Sequence, residues 1–330
     1  MTTICATLQA FFTDRLIRQR HASTHTIAAY RDTLRLLLAF ATGRTSKPPA
    51  RLDFADLDAP LVAAFLDHLE HDRGNSVGTR NARLAAIHSL YRYAALHHPE
   101  HTADITRVLA IPPKQSRRTI ITFLNDTETD ALLAAPNQDT WIGRRDHALL
   151  VLAVQTGLRV SELTALTCAD LHLGTGAHVA CHGKGRKDRI TPLNADTVTV
   201  LRRWLAERTG QPTDPLFPTR RGTALSRDAV EHRLTHYTRH AASNCPTLAG
   251  KKVTPHILRH TTAMRLLHAG VDITVIALWL GHESITTTQT YIHADLALKQ
   301  QALDRTKPTT TMPGRYQPAT DQLLAFLEGL

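Results

Sequence analysis

Cysteine is scarce in this 330-residue chain, with four residues, Cys5, Cys168, Cys181 and Cys245, scattered and forming no CxxC pair. That argues against a disulfide framework or a zinc knuckle and predicts a reducing, cytoplasmic setting. No apolar run approaches the ~20 residues that a membrane-spanning helix needs. The opening stretch, MTTICATLQAFFTDRLIRQR, carries polar and acidic residues early and no small-residue cleavage site behind an apolar segment, so no signal peptide is expected. No internal repeat is present. Acidic residues are in deficit, 29 against 39 Lys and Arg, for a formal charge of +10 and a pI near 9.8. Such a balance suits a polyanionic partner, nucleic acid ahead of an anionic membrane surface. The hydrophobic share, 42%, is ordinary for a globular protein, and the length fits two modest domains better than one large core. Most of the 20 histidines, among them His97, His98 and His101, read as solvated surface residues.

The first part reads as all-helical. Ile27, Tyr30, Leu34, Leu37, Leu38 and Ala41 recur at helical spacing behind a Ser23 or Thr24 cap, and Gly43 with Pro48-Pro49 ends that helix. Further helices are expected from about 60 to 71 and from about 77 to 97. The second of these shows Leu84, Ile87, Leu90, Tyr91 and Ala94 on one face and Arg80, Asn81, Arg83 and His88 on the other. Pro112-Pro113-Lys114-Gln115-Ser116-Arg117-Arg118 then reads as a linker, either a solvated hinge or a basic strand along a phosphate backbone. Domains are therefore expected at 1–111 and 122–305, joined by a linker at 112–121.

In the second part Asp126 or Thr127 caps a short helix, a long apolar segment runs from Asp146 to Val154, and Gln155-Thr156-Gly157 breaks it before a helix at Leu158–Leu163. The period then changes. His178–Cys181 and Arg189–Leu193 read as the strands of a β-hairpin around the turn Gly183-Lys184-Gly185-Arg186-Lys187-Asp188. Helices are expected again near 195–207, 226–242, 255–269, 273–280 and 286–292. Beyond Arg305 the composition turns to Thr, Pro and Gly, which predicts a tether, and Asp321–Glu328 forms a short amphipathic helix that needs something to dock on.

Four segments carry chemistry: Thr156-Gly157-Leu158-Arg159-Val160-Ser161-Glu162-Leu163; Gly183–Arg189; His256-Ile257-Leu258-Arg259-His260; and Leu280-Gly281-His282 followed by Tyr291. Arginine's planar fork can grip non-bridging phosphoryl oxygens bidentately, which suits Arg159 and Arg259 to a phosphodiester reaction. Glu162, three residues after Arg159, either braces that arginine or is a helix-surface charge. His256 and Arg259 share one helix face. A histidine is matched to accepting a phenolic proton, which a tyrosine of pKa ~10 does not release unaided at neutral pH. His256 and His260 form an i, i+4 pair without a third ligand of suitable type, so no metal is expected there and His260 reads as a packing or backbone-bonding residue. The Gly183-Lys184 pair is not a nucleotide loop, since no glycine stands five residues before Gly183.

In this order and spacing the four segments resemble the tyrosine recombinase (phage integrase) family, most closely its Xer-type members, and the likeness extends to the helix around Thr79–Tyr93. The resemblance implies a mainly α fold with a small antiparallel β-sheet: an all-α N-terminal core-binding bundle and a mixed α/β tyrosine-recombinase catalytic domain, clamped on opposite sides of duplex DNA. It implies Arg159, Lys184, His256, Arg259, His282 and Tyr291 as the catalytic set. Tyr291 attacks phosphorus, His256 serves as general base, His282 bonds the scissile phosphate, and Lys184 protonates the departing 5′ oxygen. The 3′-phosphotyrosyl bond keeps the energy of the broken one, so no cofactor or ATP is expected. Arg186, Lys187 and Arg189 are expected on backbone phosphates. Arg80, Asn81 and Arg83 are expected on groove edges or phosphates, or else form a solvated face. Double-stranded DNA with paired sites and a homotetrameric synapse are the implied partners, with or without a partner recombinase; the tail helix near Leu323–Leu327 is a candidate for docking on the next protomer. Integration, excision or transposition of a mobile element stands beside dimer resolution. A type IB topoisomerase would instead relax DNA without sequence preference, and a DNA-binding protein without catalysis would form no covalent adduct.

Overall fold

The structure is a computed structural model that describes residues 4–115, 122–182, 188–282, 287–288 and 291, apart from the side chain of His182. The chain divides into two compact units, residues 1–119 and 120–330.

The first unit is helical throughout: α1 (Ile4–Ala10), a π-helical turn (Phe11–Gln19), α2 (Thr24–Thr45), α3 (Ala59–His71), α4 (Val77–Ala94) and α5 (Thr102–Leu109). The starts are written in the sequence. The side chains of Ser23, Asp58 and Ser76 accept from the backbone N–H three residues on, satisfying donors that a helix leaves unpaired. Leu34, Leu37, Phe65, Leu66, Leu69, Leu84, Ile87 and Leu90 meet in one core. Two pieces escaped the sequence reading. The segment 4–19 buries Ile4, Phe11 and Leu16, with Phe11 stacked on Tyr30 at 6.3 Å. Its apolar residues follow no clean 3.6 period because half of the segment is wound as a π-helix. The short α5 offers only Ile105 and Val108 to the core. His98, expected in solvent, is buried and bonds Thr7 Oγ1 at 2.7 Å, an anchor for the N-terminal segment.

The second unit contains α6 (Asp126–Ala134), α7 (Trp141–Thr156), α8 (Val160–Ala165), β1 (Leu171–His172), β2 (His178–His182), β3 (Asp188–Pro192), α9 (Ala195–Arg208), α10 (Arg227–Ala241), α11 (Pro255–His268) and α12 (Ile273–Leu280). The fold is thus mostly helical with a three-stranded antiparallel sheet of order β1-β2-β3. In the β2–β3 hairpin Val179 faces Thr191 and Cys181 faces Arg189; its expected tip, with Lys184, Arg186 and Lys187, lies outside the described residues. The two-residue β1 was too short to read from sequence. Helix α7 packs on α9 and α11 and begins at Trp141, capped by Thr140, not at Asp146. The charged run that suggested a later start is internal. Arg145 and Asp146 are buried, Arg145 donates to the Pro218 carbonyl, and Asp146 accepts from Arg145, Arg233 and Tyr237. A separate small cluster of Ala263, Met264, Leu267, Ile276, Leu280 and Tyr291 joins α11 to α12.

Candidate active site

Two glycine turns set the geometry. Gly157 ends α7 at φ 63°, ψ 28° and Gly281 ends α12 at φ 64°, ψ 50°, left-handed conformations that side chains disfavour. The turns abut: a Cβ on Gly157 would lie 2.7 Å from Leu280 Cδ2. Between them sits the Arg259 guanidinium, buried, donating from Nη1 to the Gly157 carbonyl at 2.7 Å and from Nη2 to the Leu280 carbonyl at 2.6 Å. A cation at two helix C-termini meets the negative ends of two dipoles. Burial, with Arg159 nearby, nevertheless lowers Arg259 to about 10, still protonated at neutral pH.

Arg159 is the N-cap of α8, and its Nη2 donates to the Gly281 carbonyl at 2.9 Å, the neighbouring carbonyl to the one that holds Arg259. Glu162 proves to be the brace and not a surface charge. It is buried, accepts from the Arg159 backbone N–H at 2.8 Å and Nη1 at 2.9 Å, and is gripped bidentately by Arg189 at 3.0 and 2.7 Å. Burial opposes its ionisation, but the bonds from Arg189 and from Arg159 outweigh that and hold the carboxyl at about 2. Arg189 is therefore committed to Glu162, a correction to its expected place on a backbone phosphate. Arg159 and Arg189 share the one carboxylate, and Arg259 pairs with backbone carbonyls only, so the cluster carries excess positive charge.

His256 lies one turn before Arg259 on α11 and is exposed; partial burial of the ring, with Arg259 and Arg159, lowers its pKa. His282 follows the Gly281 turn and bonds the buried Thr288 hydroxyl through Nδ1 at 2.7 Å. Burial and the surrounding Arg259, Arg159, Arg189 and His256 push it down to about 4. Tyr291 is 2% exposed, its ring parallel to that of His282 at 6.4 Å. Burial raises its phenol, and Arg259 opposes the rise. Five expected residues, Arg159, His256, Arg259, His282 and Tyr291, are thus brought together, while Lys184 lies outside the described residues. His260 departs from its expected packing role: its Nδ1 lies 2.9 Å from Tyr291 Oη. Its i, i+4 spacing from His256 was the available sign, but that spacing points first to metals.

The three α4 residues separate. Arg80 is buried, donating to the Pro112 carbonyl at 3.2 Å with Glu70 at 3.8 Å, and Asn81 exchanges two bonds with the Lys114 backbone at 2.8 and 3.0 Å. Both hold the chain leaving the bundle. Arg83 lines an open cavity of about 470 Å³ between α2 and α4, with His25, Thr26 and Tyr30.

Comparison with known proteins gives the family. The phage integrase family matches residues 122–297, and its N-terminal SAM-like domain matches residues 10–98. A Sinorhizobium fredii protein named as an integrase/recombinase, y4rC, is 55% identical over 98% of this chain and 97% of its own length. The tyrosine recombinase XerD of Pseudomonas aeruginosa is 33% identical over 93% of this chain and 99% of its own. Among solved structures, XerH bound to a palindromic difH substrate superposes with a TM-score of 0.68 at 24% identity, covering 87% of this chain and 81% of XerH. The Tn1549 transposon integrase reaches 0.68 at 17%, covering 93% and 100%. These two likenesses concern the fold. The chain belongs to the phage integrase family. It is a tyrosine recombinase, an enzyme of DNA recombination.

Proposed function

We propose that this enzyme breaks and rejoins duplex DNA at specific paired sites through a 3′-phosphotyrosyl link to Tyr291, in the service of a mobile element. The observation that carries the reading is the convergence of the Arg159 and Arg259 guanidiniums on adjoining carbonyls, Gly281 and Leu280, beside His282 and the Tyr291 ring. Each guanidinium has five N–H donors and spends two side-chain bonds on the protein. The remainder suit the non-bridging oxygens of one phosphodiester as charge builds on them. A histidine accepts the phenolic proton, a role the sequence expectation gives to His256, and His282 bonds the phosphate. Lys184 protonates the departing 5′ oxygen, and Arg186, Lys187 and Arg83 contact backbone phosphates. Four protomers on two sites are needed for two strand exchanges, with the tail helix near Leu323–Leu327 reaching the neighbouring protomer.

The mobile-element role is favoured over dimer resolution by the 55% identity to a protein named as an integrase/recombinase, against 33% for XerD, and by the Thr/Pro-rich stretch after Arg305. The test is a nicked duplex cut from the DNA that flanks the gene, on which cleavage is trapped. Wild type is expected to become covalently attached to the 3′ phosphate and Tyr291→Phe not at all. An adduct that persists in Tyr291→Phe removes Tyr291 from the reaction.

A further inference from the structure

The His260–Tyr291 contact is not accounted for by the roles assigned so far. His260 lies on α11, next to Arg259 and one turn beyond His256, and its side chain points away from the helix backbone to the tyrosine. The Nδ1–Oη separation of 2.9 Å is a full hydrogen bond, with the two rings edge to face and centroids 5.3 Å apart. Among the described residues no other side chain bonds that hydroxyl. His256 stands edge-on to the His260 ring, centroids 4.1 Å apart, on the solvent side and without a bond to Oη.

We propose that His260 is a further catalytic residue of this enzyme, the group whose Nδ1 takes the phenolic proton as Tyr291 Oη bonds to phosphorus, with His256 one place further from the nucleophile. The inference rests on the reading of Tyr291 as nucleophile. In the step, the Oη–P bond forms and the P–O5′ bond breaks. The phenolic proton goes to His260 Nδ1, and the leaving oxygen receives its proton from Lys184. Neutral imidazole is the form required, and the surroundings enforce it: burial, followed by His256, Arg259 and His282, lowers His260 to about 4. Such a low value makes a weak base while the cationic cluster is uncompensated. A phosphodiester seated on Arg159 and Arg259 adds a negative charge beside the same groups and restores basicity when substrate is present. Proton removal is in this way coupled to occupancy by DNA.

The decisive variant is His260→Asn, whose amide oxygen can take the hydrogen-bonding place of Nδ1 but does not accept a proton near neutral pH. Single-turnover cleavage of the nicked duplex should fall about 100-fold, the usual scale of general-base loss, with binding of the same duplex unchanged. Replacing Tyr291 by a ring-fluorinated tyrosine, which ionises at lower pH, should recover at least about tenfold of that loss, because less help with the proton is then needed. Cleavage by His260→Asn within about threefold of wild type would overturn the proposal, as would a loss that the fluorinated residue leaves untouched; the latter marks a packing role. Where His260→Asn binds the duplex poorly, His260→Ala with added imidazole decides the matter, restoration supporting proton transfer and its absence refuting it. Failure of wild type itself to form the adduct would instead overturn the reading of Tyr291, and this inference with it.

Discussion

Glu162 shows how much one side chain contributes to the arrangement. It is a buried anion between two cations, and breaking such a set strands the partner charge: Glu162→Gln leaves Arg189, itself largely buried, without its carboxylate. A cost of about 3 kcal/mol is expected, read as a lower melting temperature at pH 7 together with loss of cleavage as Arg159 loses its support. The pH dependence has a definite sign. A carboxyl held at about 2, below its ordinary 4.5, stabilises the fold above pH 4.5, and that contribution is lost as pH falls from 4.5 through 2. His260 and His282 act in an earlier window. Both are pushed from 6.5 to about 4, so the folded state resists protonating them. Stability is full above pH 6.5 and declines as pH falls through 4. Chemical denaturation between pH 7 and 3 should show the decline starting near 6.5, and His282→Asn should flatten its upper part; an unchanged profile counts against a buried, neutral His282.

At the scale of elements, the site depends on helix ends more than on helix faces. Gly157 and Gly281 close α7 and α12 in the left-handed region, and their carbonyls, with that of Leu280, orient both arginines. Gly157→Ala incurs the left-handed penalty of about 1–2 kcal/mol and drives a Cβ against Leu280 and Thr262. A melting temperature lower by at least about 2 °C is expected for the 120–330 unit, with cleavage reduced more than DNA binding. The α4 helix supplies a second case. Arg80 and Asn81 staple residues 112–114 to the bundle, so Asn81→Ala should speed protease cutting near residue 114 while leaving the melting of the bundle nearly unchanged. Equal protection in both proteins would show that Arg80 and the Lys114–Glu70 ion pair suffice without Asn81.

At the scale of the whole molecule, the proposed cycle needs cooperation between protomers. Removal of residues 306–330 should leave single-strand cleavage measurable and weaken cooperative assembly on paired sites, seen as a loss of the slow-migrating complex; undiminished assembly would take the tail out of the contact. Much of this protein was legible without coordinates. The starts of α2 and α4 were visible because the Ser23 and Ser76 caps act within three residues, while that of α7 was not; the residue types proposed for the reaction, and their order, were visible because phosphoryl chemistry accepts few substitutes for arginine, histidine and tyrosine. Partnerships across the chain were not legible. That Arg80 faces inward, that Arg189 belongs to Glu162, and that His260 and not His256 touches Tyr291 each depend on contacts between residues 27 to 32 positions apart. Local pattern determined which groups are present and where several helices begin; only tertiary packing decided which of them are neutralised, which are buried, and which histidine bonds the Tyr291 hydroxyl, because burial and charge pairing are properties of neighbours in space.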